Sequence, residues 1–150
     1  MGQSYTCLFC HIIFSTKDRM PQVTPDLQQR LYDYMGGIVK NRRGALLAAG
    51  GTPDHVHLLI RLHPQTAVAD LVRFVKANSS KWVHQTFAGQ IHFAWQTGYT
   101  AFSVSSSNVE RVRGYIARQE AHHRRTTLQE ELISFLRRHG VEFNERYLWA

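Results

Sequence analysis

Apolar positions along this chain follow two periods, and the change from one to the other separates strands from helices. Ser4 to Ser15 (SYTCLFCHIIFS) is a continuous run of β-branched and aromatic residues, too short for an amphipathic helix, and predicts a first strand. Lys17-Asp18-Arg19 and Pro21 end it. Thr24 then opens a helix with Pro25 at its first position and Asp26 in its first turn. Leu27, Leu31, Tyr34, Met35 and Ile38 recur at helical spacing as far as Val39, and Arg42-Arg43-Gly44 closes the segment. Ala45 to Ala49 reads as a short strand, Gly50-Gly51-Thr52-Pro53-Asp54 as a turn, and His55 to Leu62 as a further strand stopped by Pro64. A second helix is predicted from Ala67 to Phe87, with Leu71, Phe74, Val75, Trp82 and Val83 as its buried stripe. His92 to Ser103 gathers aromatic and β-branched residues around Gly98 and predicts a strand or hairpin. Asn108 is placed to cap a long basic helix over Val109–Arg125, and a last helix from Leu128 to His139 stops at Gly140.

The order strand, helix, strand, strand, helix, strand, followed by helices, is that of an α+β, ferredoxin-like split βαβ: an antiparallel sheet with helices on one face. No repeat, low-complexity tract or linker divides the 150 residues, so positions 1–150 are expected to form one domain. That fold hosts many unrelated activities and points to none by itself. An apolar fraction of 43% with 8 Phe, 6 Tyr and 3 Trp belongs to a packed protein rather than a disordered one. No apolar run approaches the ~20 residues that span a bilayer. The opening MGQSYTCLFCHIIFSTK lacks the basic lead and small-residue cleavage site of a signal peptide, so no membrane association and a cytoplasmic setting are expected.

Charge adds a partner. A net charge of +7 and a pI near 9.9 favour a polyanion. Basic and aromatic residues recur together: Lys17 and Arg19 after the first strand, Arg42 and Arg43 after the first helix, Lys76, Ser79, Lys81 and Trp82 on the second, Trp95, Gln96, Tyr99 and Phe102 beyond it. Single-stranded nucleic acid is held by this combination, cations tracking the backbone while rings stack on bases. Trp82 and Phe102 are expected in the core instead. Cys7 and Cys10 form a C-x-x-C, but no second cysteine pair exists, and residues three apart on a strand face opposite ways, so they are read as small apolar residues rather than a metal or redox pair.

Two groups carry candidate chemistry. In His55-Val56-His57 the imidazoles share one side of a strand while Val56 faces the core, so both rings can converge on one ion. Nine histidines in this length give roughly half such a tripeptide by chance. Its position counts for more, because two histidines heading a buried strand are costly without partners. On the basic helix VERVRGYIARQEAHHRR, Tyr115 and Gln119 are four apart on one face, beside Gly114 and among Arg111, Arg113, Arg118, Arg124 and Arg125. Taken alone, Tyr115 reads as an ordinary core aromatic. A phosphate-binding G-x-x-x-x-G-K-[ST] loop and a G-x-S-x-G elbow are both missing, so no nucleotide cofactor is expected. The few acidic residues fall mostly on predicted helix surfaces, which argues against a nuclease of clustered carboxylates.

HIIFSTKDR, GGTPDHVHLLI, FVKANSSKWVHQTF, FAWQTGYTAFSVS and YIARQEAHH, in this order and spacing, resemble the HUH (His-hydrophobic-His) single-tyrosine transposases of the IS200-like group across nearly the whole chain. The resemblance implies that C-terminal helices carry the nucleophile, Tyr115, and that His55, His57 and Gln119 hold a divalent ion, Mg²⁺ or Mn²⁺. It implies cleavage and rejoining of single-stranded DNA at hairpin-marked ends through a 5′-phosphotyrosine, by a homodimer in which one subunit's tyrosine helix can complete the other's site. Such a reaction conserves the phosphodiester bond energy and needs no ATP, in keeping with the missing nucleotide motif. Lys17, Arg19, Arg42, Arg43, Lys76, Ser79, Lys81, Trp95 and Arg118 are the expected DNA contacts. In the His122-His123 pair a neighbouring histidine on the basic helix could supply the third ligand instead of Gln119, His122 lying seven residues beyond Tyr115 on the same face. A nicking enzyme of replication or conjugation, and a non-catalytic ferredoxin-like nucleic-acid binder, are the rival readings.

Overall fold

The computed structural model describes residues 2–149. Strand β1 (Phe9–Ser15) lies at the centre of a four-stranded antiparallel sheet with β3 (His55–Arg61) on one side and β4 (Thr100–Val104) on the other. Strand β2 (Ala45–Thr52) forms the far edge beside β3, giving the order β2-β3-β1-β4 expected of a ferredoxin-like fold. The two central strands explain the longest apolar runs in the sequence, since both of their faces are covered.

Alternation along these strands sorts their residues between two cores. Cys10, Ile12 and Phe14 sit opposite Ile60, Leu58 and Val56 and pack under helices α1 (Pro25–Asn41) and α2 (Val68–Thr86). Leu27, Leu31, Met35 and Val39 from α1 and Leu71, Val75 and Val83 from α2 complete this larger core. The other face carries His11, Ile13 and Ser15, paired with Leu59, His57 and His55. It is covered by α3 (Val109–Ala117), α4 (Gln119–His123) and α5 (Leu128–Arg138), and Leu132 and Leu136 of α5 bury Ile13 and Phe102. Helices therefore flank the sheet on both sides, with the C-terminal set on the face of the histidines.

Several boundaries differ from the sequence expectation for local reasons. Strand β1 begins at Phe9 rather than Ser4, because the polar start finds no pairing partner in β3 or β4. Strand β2 runs on through both glycines to Thr52, leaving Pro53-Asp54 as the turn. A side chain at Gly51 would strike the His55 carbonyl, so only glycine lets the hairpin close this tightly. Of the predicted His92–Ser103 segment only its end is strand; Trp95 makes a single bridge to Thr16. The long basic helix is broken at Arg118 (φ −103°, ψ 21°) into α3 and α4. Asn108 provides no side-chain cap to α3, whereas Thr127 caps α5 through a reciprocal pair of bonds with Glu130. None of the described helices is long and apolar enough to cross a membrane.

Candidate metal centre and tyrosine

Strand β3 brings the imidazoles of His55 and His57 to the same face, both fully buried, with ring centroids 5.1 Å apart. Each is oriented through its Nδ1. His55 Nδ1 lies 2.8 Å from Asp54 Oδ1 and 2.9 Å from the Thr52 hydroxyl, groups the tight hairpin delivers. His57 Nδ1 lies 2.8 Å from Nε2 of His11, its neighbour across the sheet on β1. Such outer partners fix tautomer and ring orientation in metal-binding histidines. Burial, then the hydrogen bonds from His55 and Thr52 acting against it, leave the Asp54 carboxyl at about 2. It is thus an ionised acceptor beside His55 Nδ1, and His55 Nε2 points into the site.

Gln119 opens α4 and is buried at 1% exposure. Its amide nitrogen donates to Glu131 Oε2 (3.3 Å), which turns its carbonyl oxygen toward His55 Nε2 at 3.2 Å. His55 Nε2 and the Gln119 carbonyl oxygen thus meet at one point of the site. Tyr115 comes from the last turn of α3, its ring centroid 5.9 Å from that of His57. The helix reaches this position because Ile116 packs flat on Gly50 of β2, and because the Arg113 guanidinium donates to the Leu47 carbonyl at the β2 bulge. Gly114, by contrast, makes no backbone approach; a side chain there would meet only the Arg118 guanidinium.

The carboxylate of Glu131 lies at the centre of the group, 3% exposed, and the sequence expectation of surface acids misses it. Glu131 Oε1 is 3.0 Å from His57 Nε2 and 3.2 Å from His123 Nε2; Oε2 is 3.0 Å from His122 Nε2 and accepts the Tyr115 hydroxyl. Burial alone would raise the Glu131 carboxyl, but hydrogen bonds from His123 and His57 hold it far below the ordinary carboxylate range. Burial and the adjacent Glu131 charge push the Tyr115 phenol well above its usual value. Burial, against the pull of Glu131, lowers His57 to about 4, so its ring is neutral at neutral pH. One donor atom each from His55, His57, His123 and Glu131 lies within 4.8 Å of all the others. This is a donor set that fits a divalent ion. His122, the alternative to Gln119, stands instead at the Tyr115 hydroxyl, 3.2 Å away.

A sequence signal for Glu131 exists. Leu128, Leu132 and Leu136 define the apolar face of α5, and position 131 lies on that face, where a charge needs a partner. His11 carries the same kind of signal, as a polar residue within an apolar strand.

The expected DNA contacts divide in two. Ser79 is fully buried and accepts a hydrogen bond from the indole of Trp95, itself only 9% exposed; both are corrected to core residues. Lys76 is half-buried, lowered by desolvation to about 8, and donates to the carbonyls of Gln96, Thr97 and Gly98, so it fastens the loop before β4 rather than facing solvent. Lys17, Arg42, Arg43, Lys81 and Arg118 are exposed, and Arg19 is half-buried over the Trp149 ring. Arg118 also lines a cleft of about 430 Å³ with Gln119, Gly50 and Arg124. Phe102 is core as expected, whereas Trp82 is half-buried and stacks on Tyr34. Cys10 is buried and Cys7 exposed; neither is bonded.

Known proteins share this sequence pattern and fold. The chain is 25% identical over 117 residues to the ISDra2 transposase TnpA of Deinococcus radiodurans, covering 73% of this chain and 81% of that one. It is 24% identical over 115 residues to the transposase for insertion sequence element IS200 of Salmonella typhimurium, covering 73% and 74%. A crystal structure of a protein described as a transposase from Deinococcus radiodurans superposes with a TM-score of 0.64 at 28% identity, over 79% of this chain and 96% of that one. A REP-associated tyrosine transposase bound to a REP hairpin shares the fold, with a TM-score of 0.60 at 16% identity over 82% and 73%. The family model described as "Transposase IS200 like" matches residues 4–119, a segment that takes in the whole sheet, α1 to α3 and the first residue of α4. With His55, His57, Tyr115 and Gln119 all inside that segment, the chain belongs to the IS200-like transposase family.

Proposed function

We propose that the protein cleaves and rejoins single-stranded DNA at hairpin-marked ends, with Tyr115 as nucleophile, through a 5′-phosphotyrosine intermediate. His55, His57 and Gln119 would hold the divalent ion, Mg²⁺ or Mn²⁺; once bound it would polarise the scissile phosphate and offset charge on the attacked phosphoryl group. The observation that carries this reading is that Tyr115, within a transposase fold, donates its hydroxyl to the same Glu131 carboxylate that His57 contacts, with its ring 5.9 Å from that of His57. That a relative of the same fold is bound to a hairpin supports the choice of substrate.

The side chains present account for the remaining steps. The Tyr115 oxygen attacks phosphorus and the 3′ oxygen leaves, so one phosphodiester is exchanged for another and no external energy is needed. The phenol is protonated at neutral pH and must lose its proton on attack. His122 contacts that hydroxyl and is placed to take the proton and return it when the strand is rejoined, while the Glu131 carboxylate orients the hydroxyl by accepting from it. Lys17, Arg19, Arg42, Arg43, Lys81 and Arg118 are proposed to contact the DNA backbone. A homodimer is proposed as the working unit, although within a single chain Tyr115 already lies beside His57 and Glu131.

The test is to incubate the protein with labelled single-stranded hairpin DNA and Mn²⁺ and to look for an adduct that survives denaturation. Wild type should form it and Tyr115→Phe should not. Equal adduct from both would refute the nucleophile; none from wild type would favour a non-catalytic binder.

A further inference from the structure

We infer that His123 and Glu131 are additional ligands, so that this chain holds a divalent transition ion among three imidazoles, one carboxylate and the Gln119 carbonyl before any DNA arrives. The inference rests on the reading of His55 and His57 as ligands and extends it with two residues beyond position 119, where the match to the family ends.

Geometry comes first. Donor atoms that share one ion at about 2.0–2.2 Å lie roughly 3.0–3.6 Å from each other. His57 Nε2 to Glu131 Oε1 is 3.0 Å, His123 Nε2 to the same oxygen 3.2 Å, and His55 Nε2 to Gln119 Oε1 3.2 Å. His123 is held over His55 with ring centroids 4.6 Å apart, so its approach is shared with both strand histidines. The carboxylate is also fixed in place. Thr127 caps α5 four residues earlier, and Leu132 and Leu136 anchor the helix on Ile13 and Phe102, leaving Glu131 no route to solvent.

Donor type then selects the ion. Three imidazoles and one carboxylate suit Mn²⁺ or Zn²⁺, whereas Mg²⁺ prefers an all-oxygen shell and retains its waters. Residues that do not bind the ion keep the donors in register: Asp54 and Thr52 orient His55, and His11 orients His57.

The experiment titrates the DNA-free full-length protein with Mn²⁺, reading free ion by electron paramagnetic resonance, and repeats it with Mg²⁺ by calorimetry. One Mn²⁺ should bind per chain, more tightly than Mg²⁺. Glu131→Gln and His123→Ala should each weaken Mn²⁺ binding at least tenfold, and His57→Ala should abolish it, with circular dichroism confirming the fold. Should Glu131→Gln fail to fold, His123→Ala decides, because its ring reaches the surface. Wild-type affinity in His123→Ala and in any folded Glu131→Gln, with loss in His57→Ala, overturns this inference but leaves the His55–His57 site standing. Wild-type affinity in His57→Ala as well would overturn both. Mg²⁺ binding as tight as Mn²⁺ would overturn the three-imidazole assignment.

Discussion

Replacing Gly50 by alanine should disable the tyrosine while leaving the histidines in place. A methyl at this position would lie 2.4 Å from the Ile116 carbonyl oxygen and 2.9 Å from its Cγ2, whereas ordinary contact begins at 3.4 Å. The opposing atom is backbone, so no rotamer change relieves the clash, and α3 must lift from β2 by about 1 Å. Overpacking of this kind costs roughly 1–3 kcal/mol, which lowers the melting temperature of a domain this size by several degrees. Ile116 follows Tyr115 directly, so the lift passes to the phenol, and a displacement of about 1 Å at a reacting group costs on the order of 100-fold in rate. The assay is the initial rate of covalent adduct formation on a labelled hairpin strand, beside a thermal melt. Gly114→Ala is the control: its methyl meets only the mobile end of Arg118, and it should melt at or slightly above wild type. If Gly50→Ala forms adduct within about threefold of wild type at an unchanged melting temperature, the seating of α3 on Gly50 is refuted.

Three further outcomes are expected. Asp54→Ala leaves His55 Nδ1 with Thr52 as its remaining oriented partner and should weaken Mn²⁺ binding about tenfold in the resonance titration; unchanged affinity would remove Asp54 from the site. His11 and His57 are held neutral in the folded protein, lowered chiefly by burial to about 3 and about 4, but each takes up a proton near pH 6.5 in the unfolded chain. The unfolded state therefore binds protons first as pH falls, and metal-free stability should decline from about pH 6.5 towards pH 4, by about 1.4 kcal/mol per pH unit for each histidine; a urea midpoint that stays flat between pH 6.5 and 5 would contradict this. Leu132→Ala should cost about 2–5 kcal/mol in urea unfolding, because Leu132 is buried against the sheet; a loss below about 1 kcal/mol would mean that α5 is not docked there.

Strand periodicity made the central part of this molecule readable. Val56 faces one core while His55 and His57 face the other, as alternation requires, and the element order led directly to β2-β3-β1-β4. Tyr115 and Gln119 both face Glu131, as a spacing of four on one face predicts, although the helix breaks between them at Arg118, where neither proline nor glycine announces it. What stayed hidden depends on long-range docking. Glu131 lies 74 positions from His57 in sequence and joins it only because α5 folds back across the sheet. Ser79 and Trp95 resemble a nucleic-acid surface in composition, yet their mutual hydrogen bond places them in the core. Lys76 likewise looks like a backbone cation until the carbonyls of the loop before β4 close around it.

The sheet, with its two covered faces, also acts as a partition for evolutionary change. Along β1 and β3, successive residues answer to different demands: Cys10, Ile12, Phe14, Val56 and Leu58 to packing under α1 and α2, and His11, His55 and His57 to the polar cluster around Glu131 across the sheet. Gains in stability made on the α1/α2 side need not be surrendered in activity, because no side chain of that core lies among the ion-facing donors. The chemical face can in turn be rebuilt by segments added after β4, while the fold beneath it persists.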